Sequence, residues 1–292
     1  MVCFLDDRKR VLVVPDHPAA YIDNIPQQYD RNLGPLLFAD YAADMSGRVA
    51  AFSPQRVLEI ATGTGIVSRQ LRDLLPADAV LIATDINPPM LEIARTKFRP
   101  GESIEFRQAD AMALPFADGS FDAVVCQFGV MFFPDKDKSY RETLRVLVPG
   151  GHYLFSVWDS HRYNLFARIA HEVTGSFFPT DPPQFQSVPF AYRFGAIKNS
   201  LIDAGFTNIS AVVLRLQKEV PDLAVLARGL VFGSPIIDQV QQRGGVDAEE
   251  VVDAIVSEYR NQFGSDGAKI PLQAIVFSTE KPSCSHPDNI AT

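Results

Sequence analysis

Short apolar segments alternate with longer amphipathic segments between residues 56 and 158. The amphipathic segments, such as VSRQLRDLL and KDKSYRETLRVL, carry apolar residues about every 3.6 positions, as helices that pack on one face do. Short strands separated by helices of this length predict βαβ units and a parallel sheet. The chain is therefore expected to form an α/β, Rossmann-like doubly wound sheet with ligand sites at the carboxyl ends of its strands. The candidate strands are RVLEIA (56–61), AVLIATDI (79–86), SIEFRQA (103–109), FDAVVCQF (121–128) and GHYLFSVW (151–158).

The regular alternation stops after Trp158. Residues 160–195 contain eight aromatic residues and several prolines, which favours a mobile aromatic lid over one long helix. Beyond this lid we expect a helix that ends at Gly205, a strand ISAVVLRLQ, a helix that begins at Asp247 and a closing strand PLQAIVFSTE. The expected organisation is an N-terminal extension (1–28), one domain (29–282) with a cap helix (29–50) and helical lid insertions (160–200 and 221–264), and a flexible tail (283–292).

The composition argues against several classes of partner. A formal net charge of −8 and a pI near 5.1 disfavour nucleic acid, because phosphate contacts need clustered Lys and Arg. The three cysteines lack the spacing of a zinc site or a disulfide framework, so we expect no metal and a cytoplasmic protein. No apolar run approaches the length of a membrane span, and none is expected. Whether the chain forms a homodimer is left open.

The segment VLEIATGTGIVSRQL (57–71) predicts a strand, a tight glycine turn and a helix. Gly63 and Gly65 allow the backbone to turn sharply and to approach a ligand without a Cβ clash. Asp85 follows Gly65 by twenty residues at the end of the next strand, where a carboxylate suits the two hydroxyls of a ribose. Nicotinamide and flavin enzymes share this combination with methyltransferases.

Glu59 separates these possibilities. A buried carboxylate and a neighbouring pyrophosphate repel each other, at a cost on the order of several kcal/mol, unless one of the two charges is neutralised. The same carboxylate beside an ammonium group gains a charge-assisted hydrogen bond. The third glycine of the dinucleotide pattern is also missing, because Ile66, Val67 and Ser68 follow Gly65. S-adenosylmethionine has an ammonium, a ribose and an adenine but no phosphate, so the turn favours that ligand.

The run EIATGTG resembles the acidic-x-G-x-G-x-G signature of class I S-adenosylmethionine-dependent methyltransferases, with Ala61 in place of the first glycine. The resemblance continues through Asp85, QADAMALPFADGSFD (108–122) and LVPGG (147–151), and covers about residues 55–158. The middle block is similar to the branch that includes the ubiquinone and menaquinone C-methyltransferases. The resemblance implies a seven-stranded sheet whose last strand inserts antiparallel between its neighbours.

The resemblance also implies roles for individual residues. Glu59 would hold the ammonium, Asp85 the ribose hydroxyls and Ile86 the face of the adenine. Asp110 would accept from the adenine amino group, and the backbone N–H of Ala111 would donate to the ring. Gly63 and Gly65 would line the aminoacyl and ribose parts, and Gln127 would lie beside the cofactor. The implied cofactor-binding residues are Tyr29, Glu59, Ala61, Gly63, Gly65, Asp85, Ile86, Met90, Asp110, Ala111 and Gln127. Asp122 begins a strand far from this edge and is interpreted as structural.

Methyl transfer is an in-line displacement that depends mainly on positioning, and it needs a base only if the acceptor keeps its proton. His161 and Tyr163 follow the fifth strand, so they are the candidate catalytic residues that would reach the acceptor's polar atom. FGVMFF (128–133) is expected to line the methyl-transfer end of the pocket. The aromatic lid suggests a small, apolar or aromatic methyl acceptor, although phenylalanines that simply pack the lid would explain the same composition.

Three functional hypotheses are carried forward. The first is transfer of a methyl group from S-adenosylmethionine to a small molecule. The second is an NAD(P)-dependent oxidoreductase, which would leave Glu59 unexplained. The third is a catalytically silent S-adenosylmethionine-binding subunit, since no side chain here is a mandatory catalyst. The acceptor and the methylated atom (O, N, C or S) stay open.

Overall fold

The structure is a computed structural model that describes residues 21–283 of the chain. Its strands are β1 (Arg56–Ile60), β2 (Val80–Asp85), β3 (Glu105–Gln108), β4 (Phe121–Gln127), β5 (Leu147–Trp158), β6 (Thr207–Val220) and β7 (Ala268–Glu280). Its α-helices are α1 (Ile25–Gln28), α2 (Ala39–Ala50), α3 (Ile66–Leu74), α4 (Pro88–Arg95), α5 (Lys136–Val146), α6 (Leu165–Ser176), α7 (Phe194–Ala204), α8 (Leu223–Phe232), α9 (Ile236–Arg243) and α10 (Ala248–Phe263). A π-helix spans Tyr29–Phe38, and 3-10 helices span Val130–Phe132 and Phe185–Phe190.

The described strands form one seven-stranded sheet in the order β3-β2-β1-β4-β5-β7-β6. Strands β1 to β5 pair in parallel with their neighbours, whereas β7 is antiparallel to both β5 and β6. The expected fold class and the antiparallel insertion of the last strand are therefore confirmed. The chain runs from β1 outward to β2 and β3 and then returns to β4 on the other side of β1. This switch point opens a crevice above the carboxyl ends of β1 and β4.

Strand β5 begins earlier than the sequence pattern indicates. It starts at Leu147, which pairs with Phe121, and the pairing then jumps to Ala123 and His152. Gly150 lies between them with φ +78°, so the segment LVPGG is an irregular part of the strand. At this same end of the sheet, Asp122 accepts hydrogen bonds from the backbone N–H groups of Gln55 (2.9 Å) and Arg56 (2.8 Å). These bonds agree with a structural role for Asp122.

The N-terminal cap, expected as a helix over residues 29–50, is helical over that range but changes type within it. Its first part is the π-helix, and α2 follows directly. Pro35 lies inside this segment and lacks the N–H group that an α-helical hydrogen bond requires. The backbone N–H of Ala39 accordingly bonds to the carbonyl of Gly34, five residues back instead of four. The cap still buries Leu33 and Leu37 against the core, as the apolar pattern predicts.

The helices that follow β5 and β6 cover the crevice. α8 packs against the π-helix and α10, and α10 packs against α6. The predicted ends of two helices are confirmed, because Gly205 caps α7 with φ 101° and the Asp247 carboxylate caps α10 by accepting from Glu249 N–H. Across residues 21–283, no helix by itself has the length and hydropathy of a membrane span; α8 and α9 reach both only as a pair, which bends by 71°.

Asn164 ties the start of the lid to the sheet. Its side chain is fully buried and its Nδ2 donates to the carbonyls of Asp159 and Gln273, each at 2.9 Å. Its Oδ1 accepts from the backbone N–H of Gln273, also at 2.9 Å. One side chain therefore satisfies three backbone groups at the point where the chain leaves β5 and passes beside β7. This clamp fixes where residues 159–164 can lie.

Replacing Asn164 with Ala is expected to destabilise the fold by about 2–4 kcal/mol, because each buried polar group left without a partner costs roughly 1–3 kcal/mol. Urea unfolding followed by circular dichroism measures this free energy. Asn261→Ala is the matched control, because Asn261 is exposed on α10 and its side chain bonds only to the Glu258 side chain. Equal midpoints and slopes for the two variants would show that the clamp contributes little.

Candidate functional site

The turn after β1 brings the backbone of the chain to the edge of the crevice. Ala61 and Gly63 both have a left-handed backbone, with φ of 53° and 55°. A Cβ added at Gly63 would meet no atom within 4 Å, because this residue faces open space. A Cβ at Gly65 would lie 2.8 Å from the Cβ of Ala94 on α4. Gly63 is thus a cavity residue, whereas Gly65 allows close helix packing and lies behind the cavity wall.

Asp85 joins this turn to the end of β2. Its Oδ2 accepts from the backbone N–H of Gly63 at 2.8 Å, and its Oδ1 accepts from the backbone N–H of Asn87 at 2.8 Å. The side chain of Asn87 approaches the same Oδ1 at 3.3 Å. Burial raises the pKa of the Asp85 carboxyl above its ordinary value. The carboxylate holds two loops in place and still borders the cavity with unused lone pairs.

Glu59 provides a second buried carboxylate, at the end of β1. It is 1% exposed, and the Ser68 hydroxyl donates to its Oε2. The hydroxyls of Ser68 and Thr62 are 2.7 Å apart, so a short polar chain leads from Glu59 to the turn. Burial raises the pKa of Glu59 to about 8, and the nearby Asp85 adds to the shift. Within residues 21–283, no Lys, Arg or His forms an ion pair with Glu59 or Asp85.

A polar cavity of about 300 Å³ lies above these residues. A side pocket of about 30 Å³ adjoins it and contains Glu59. Every cofactor-site residue expected from the sequence except Gly65 lines one of the two. The residues of the larger cavity are Tyr21, Tyr29, Ala61, Gly63, Thr84, Asp85, Ile86, Asn87, Met90, Ala109, Asp110, Ala111, Met112, Gln127, Phe128, Gly129, Phe132, Phe133 and Pro134. The FGVMFF segment was expected to line the pocket, and its residues Phe128, Phe132 and Phe133 do line this cavity.

Gln127 adds an unpaired acceptor to the polar cavity. Its Nε2 donates to the carbonyl of Phe38 at 3.2 Å, which orients the amide. Its Oε1 is buried and has no hydrogen-bond partner among residues 21–283. A buried acceptor without a partner is costly, so this oxygen favours a ligand that brings a donor.

The donor set of the cavity fits S-adenosylmethionine. Glu59 and the free Gln127 oxygen can accept from its ammonium group, and the Asp85 carboxylate can accept from its ribose hydroxyls. No Lys or Arg of the described chain lines either part of the cavity, so a pyrophosphate would face two carboxylates without a balancing cation. Asp110 accepts from the backbone N–H of Met112 at 2.8 Å and closes the opposite end of the cavity.

Several lining residues were missed by sequence reasoning. Asn87 is the second residue after β2, so its place near the strand end was an available signal. Tyr21 belongs to the segment that was expected to be an extension, and no periodic pattern marks it. Its ring contacts the ring of Tyr29 edge-on at 5.6 Å, and Tyr29 stacks on Phe38 at 4.9 Å. These rings close the cavity from the N-terminal side. Thr84 and Met112 were also missed.

An apolar chamber of about 80 Å³ adjoins the polar cavity, and the two share Tyr21, Tyr29, Phe128 and Phe132. Phe128 stacks on Trp158 with ring centroids 4.2 Å apart. The lid supplies the far wall, so the expected position of an aromatic lid agrees with the structure. The chamber is lined by Tyr21, Tyr29, Leu33, Leu37, Phe38, Phe128, Met131, Phe132, Trp158, Phe166, Phe185, Gln186, Pro189, Phe190, Leu230, Gly233 and Ser234.

The structure does not bring His161 or Tyr163 into the lining of these cavities. The Nε2 of His161 lies 3.2 Å from the carbonyl of Gln186, and its ring packs against Phe190 at 4.7 Å. Burial, together with the nearby His171, lowers the pKa of His161 to about 4. Tyr163 is 42% exposed, beneath the guanidinium of Arg162. Both residues were expected at the mouth of the crevice because they follow β5. The hydrogen bonds of Asn164 instead direct this loop away from the crevice.

Glu59→Gln is expected to change how stability depends on pH. The unfolded chain ionises Glu59 near its ordinary pKa of 4.5, whereas the folded protein keeps the proton until about pH 8. Between these values the folded state binds the extra proton, so wild-type stability falls relative to the variant as pH rises, by up to about 1.4 kcal/mol per pH unit. Urea unfolding at several pH values measures this difference, with the exposed Glu92→Gln as control. If the unfolding free energies of the wild type and Glu59→Gln change in parallel from pH 5 to pH 8, the prediction is wrong.

Known proteins were compared with this chain. A family model described as a methyltransferase domain matches residues 58–155. A demethylmenaquinone methyltransferase of Thermus thermophilus is 47% identical over 100 residues, which are 34% of this chain and 45% of that protein. A ubiquinone/menaquinone biosynthesis C-methyltransferase of Hahella chejuensis is 33% identical over 193 residues, or 61% of this chain and 76% of that protein. The chain spans about half the length of the first two curated relatives that it matches.

Solved structures agree on the fold. A phosphoethanolamine N-methyltransferase of Haemonchus contortus in complex with S-adenosyl-L-methionine superposes with a TM-score of 0.58 at 19% identity, over 90% of this chain and 58% of that one. A methyltransferase structure from Bacillus halodurans superposes with a TM-score of 0.51 at 22% identity, over 82% and 99% of the two chains. The buried carboxylates, the turn between them and the extent of the match to the Hahella chejuensis protein lead to one assignment. The chain belongs to the class I S-adenosylmethionine-dependent methyltransferases of the ubiquinone/menaquinone type.

Proposed function

We propose that this protein transfers the methyl group of S-adenosylmethionine to a small, largely apolar molecule with an aromatic or quinone-type ring. The observation that carries the proposal is the pair of adjoining cavities. One is lined in part by acidic side chains and suits a cationic nucleoside, and the other is aromatic and has no charged side chain in its described wall. They meet at Tyr21, Tyr29, Phe128 and Phe132, so two different molecules can lie in contact there. The names of the quinone-pathway relatives support a ring of this class.

The cofactor, when bound, supplies an electrophilic methyl group together with its own leaving group. Glu59 and Gln127 would bind its ammonium, and Asp85 would fix its ribose. Asp110 and Ala111 would hold the adenine at the far end of the cavity. These contacts come from four strands and their turns, which are rigid elements of the sheet. They would therefore orient the cofactor with little loss of entropy during the reaction.

The rings at the junction exclude water from the reacting atoms. Phe128 and Trp158 stack on one another, and Tyr29 stacks on Phe38. The tyrosines of the junction stay protonated, because burial first and the nearby Asp85 further raise the pKa of both Tyr21 and Tyr29. No carboxylate, histidine, lysine or arginine of the described chain lines the apolar chamber. We infer that the acceptor is nucleophilic at working pH without a strong base from this chamber.

A labelled-methyl assay tests the proposal directly. The full chain is incubated with methyl-labelled S-adenosylmethionine and a panel of hydroquinones, phenols and amines of similar size. We expect label in the hydroquinone or phenol products. Binding of S-adenosylmethionine without transfer to any member of the panel would favour a silent subunit. Binding of NADH in preference to S-adenosylmethionine would favour an oxidoreductase.

Asp85→Ala is expected to weaken S-adenosylhomocysteine binding by about 10- to 100-fold, which corresponds to roughly 1.5–3 kcal/mol for hydrogen bonds to a charged group. The variant loses both the ribose acceptor and the bond that positions Gly63. Isothermal titration calorimetry measures the affinity, and Asp78→Ala on the exposed turn before β2 is the control. Unchanged affinity in a folded Asp85→Ala protein would rule out the ribose role.

A further inference from the structure

Gln186 is a polar side chain in the wall of the apolar chamber. It lies in the Phe185–Phe190 3-10 helix of the lid and is 4% exposed. Both its Oε1 and its Nε2 are buried, and neither has a hydrogen-bond partner within residues 21–283. Leaving both ends of a buried amide unpaired is unfavourable, because the amide gives up its hydrogen bonds to water without replacing them. Such a side chain in a ligand-sized space indicates that a ligand completes its hydrogen bonds.

Ser234, another polar side chain of this wall, is already satisfied. The Ser234 hydroxyl donates to the carbonyl of Leu230 at 2.7 Å and lies 3.4 Å from the backbone N–H of Ile236. Among the described residues of the chamber wall, Gln186 is thus the side chain with buried polar atoms still free.

The backbone that carries Gln186 is held from several sides. His161 contacts its carbonyl through Nε2 at 3.2 Å. The side-chain oxygen of Gln239 accepts from the backbone N–H groups of Gln184 (3.1 Å) and Phe185 (3.2 Å), which ties the segment to α9. The ring of Phe185 stacks on Phe132 at 5.6 Å. The amide is therefore presented on a fixed support.

We propose that Gln186 determines acceptor specificity by hydrogen bonding to an oxygen on the acceptor ring. The amide N–H donates to a ring carbonyl, and the amide oxygen accepts from a ring hydroxyl. Both groups are neutral, and the chamber wall offers no charge in the described chain, so the acceptor is an uncharged oxygenated ring rather than an acid or an amine. His161 is then a positioning residue for the Gln186 segment. This inference rests on the proposed function only in naming the bound molecule as the methyl acceptor.

The chain has one tryptophan, Trp158, and it lines the chamber. Its fluorescence therefore reports when a ring occupies this space. Duroquinone is the oxygenated probe, and durene, which has the same methylated ring without oxygen, is the apolar probe. Titrations with the full chain and a saturating amount of S-adenosylhomocysteine give the affinity for each probe, after correction for absorbed light with free tryptophan amide.

Gln186→Leu is expected to weaken duroquinone binding by about 10- to 100-fold, because the variant loses the hydrogen bond to the ring oxygen. Durene binding is expected to stay equal or become tighter, because durene has no polar atom to pair with the buried amide of the wild type. Gln184→Leu is the matched control, since Gln184 is exposed on the same segment and its side chain bonds only to the carbonyl of Pro182. Should Gln186→Leu fold poorly, Gln186→Met removes the amide with a more flexible side chain. Equal changes for the two probes, unchanged duroquinone affinity, or no duroquinone binding to the wild type would overturn the proposal.

The outcome can be separated from that of the proposed function. S-adenosylhomocysteine affinity is expected to stay the same in Gln186→Leu, because the amide does not border the polar cavity. With a working acceptor, the variant is expected to raise KM for oxygenated rings more than it lowers kcat. Selective duroquinone binding without any methyl transfer would support the Gln186 role and reject the methyltransferase activity. Methyl transfer to a hydroquinone with kinetic constants unchanged by Gln186→Leu would support the methyltransferase activity and reject the Gln186 role.

Discussion

The burial of two carboxylates without a protein cation governs the candidate site. Glu59 and Asp85 end adjacent parallel strands, so their side chains are brought to one edge of the sheet by its register. Asp85 offsets part of its desolvation by accepting from Gly63 and Asn87, and Glu59 does so through Ser68. In the described chain no positive side chain balances them, so burial raises the pKa of Glu59 to about 8 and disfavours its ionised form. A ligand with an ammonium and two hydroxyls relieves this imbalance, whereas a phosphate increases it.

Much of the fold follows from the sequence because its elements are local. Apolar strands of five or six residues and helices of three turns leave a periodic signal, and parallel strands align their carboxyl ends whatever the tertiary details. That is why Glu59, Ala61, Asp85 and Gln127 could be placed at one edge before any coordinates. The position of the cap helix could be predicted, but its π-helical part could not. Whether Pro35 ends a helix or is absorbed in a π-helix depends on packing of the neighbouring turns, which a periodic pattern does not contain.

The acceptor side was harder to predict for a physical reason. Position after β5 suggested that His161 would face the mouth, but the direction of a loop is set by contacts far away in the chain. Asn164 bonds to Gln273, more than one hundred residues later, and so fixes the loop against β7. Gln186, in turn, belongs to a proline-interrupted segment without periodicity, where sequence gives no face to assign. Tyr21 escaped notice for the same reason. Long-range polar contacts fix the loop of His161 and the segment of Gln186.

Backbone strain marks the junction of the two cavities independently of any motif. Ala61 and Phe128 have φ of 53° and 55°, and each directly follows the carboxyl end of one of two neighbouring strands. A left-handed backbone costs a residue with a Cβ roughly 1–2 kcal/mol, and bulky residues adopt it rarely. Both conformations persist because the surroundings fit them: a Cβ at Gly129 would lie 2.5 Å from the Cβ of Ala61, so only glycine leaves room for that methyl group. Such strain is typical of ligand sites, where the chain must turn abruptly to expose its backbone. In this protein the strained pair borders both the polar cavity and, through Phe128, the aromatic chamber, which is where a bound nucleoside and a bound ring would meet.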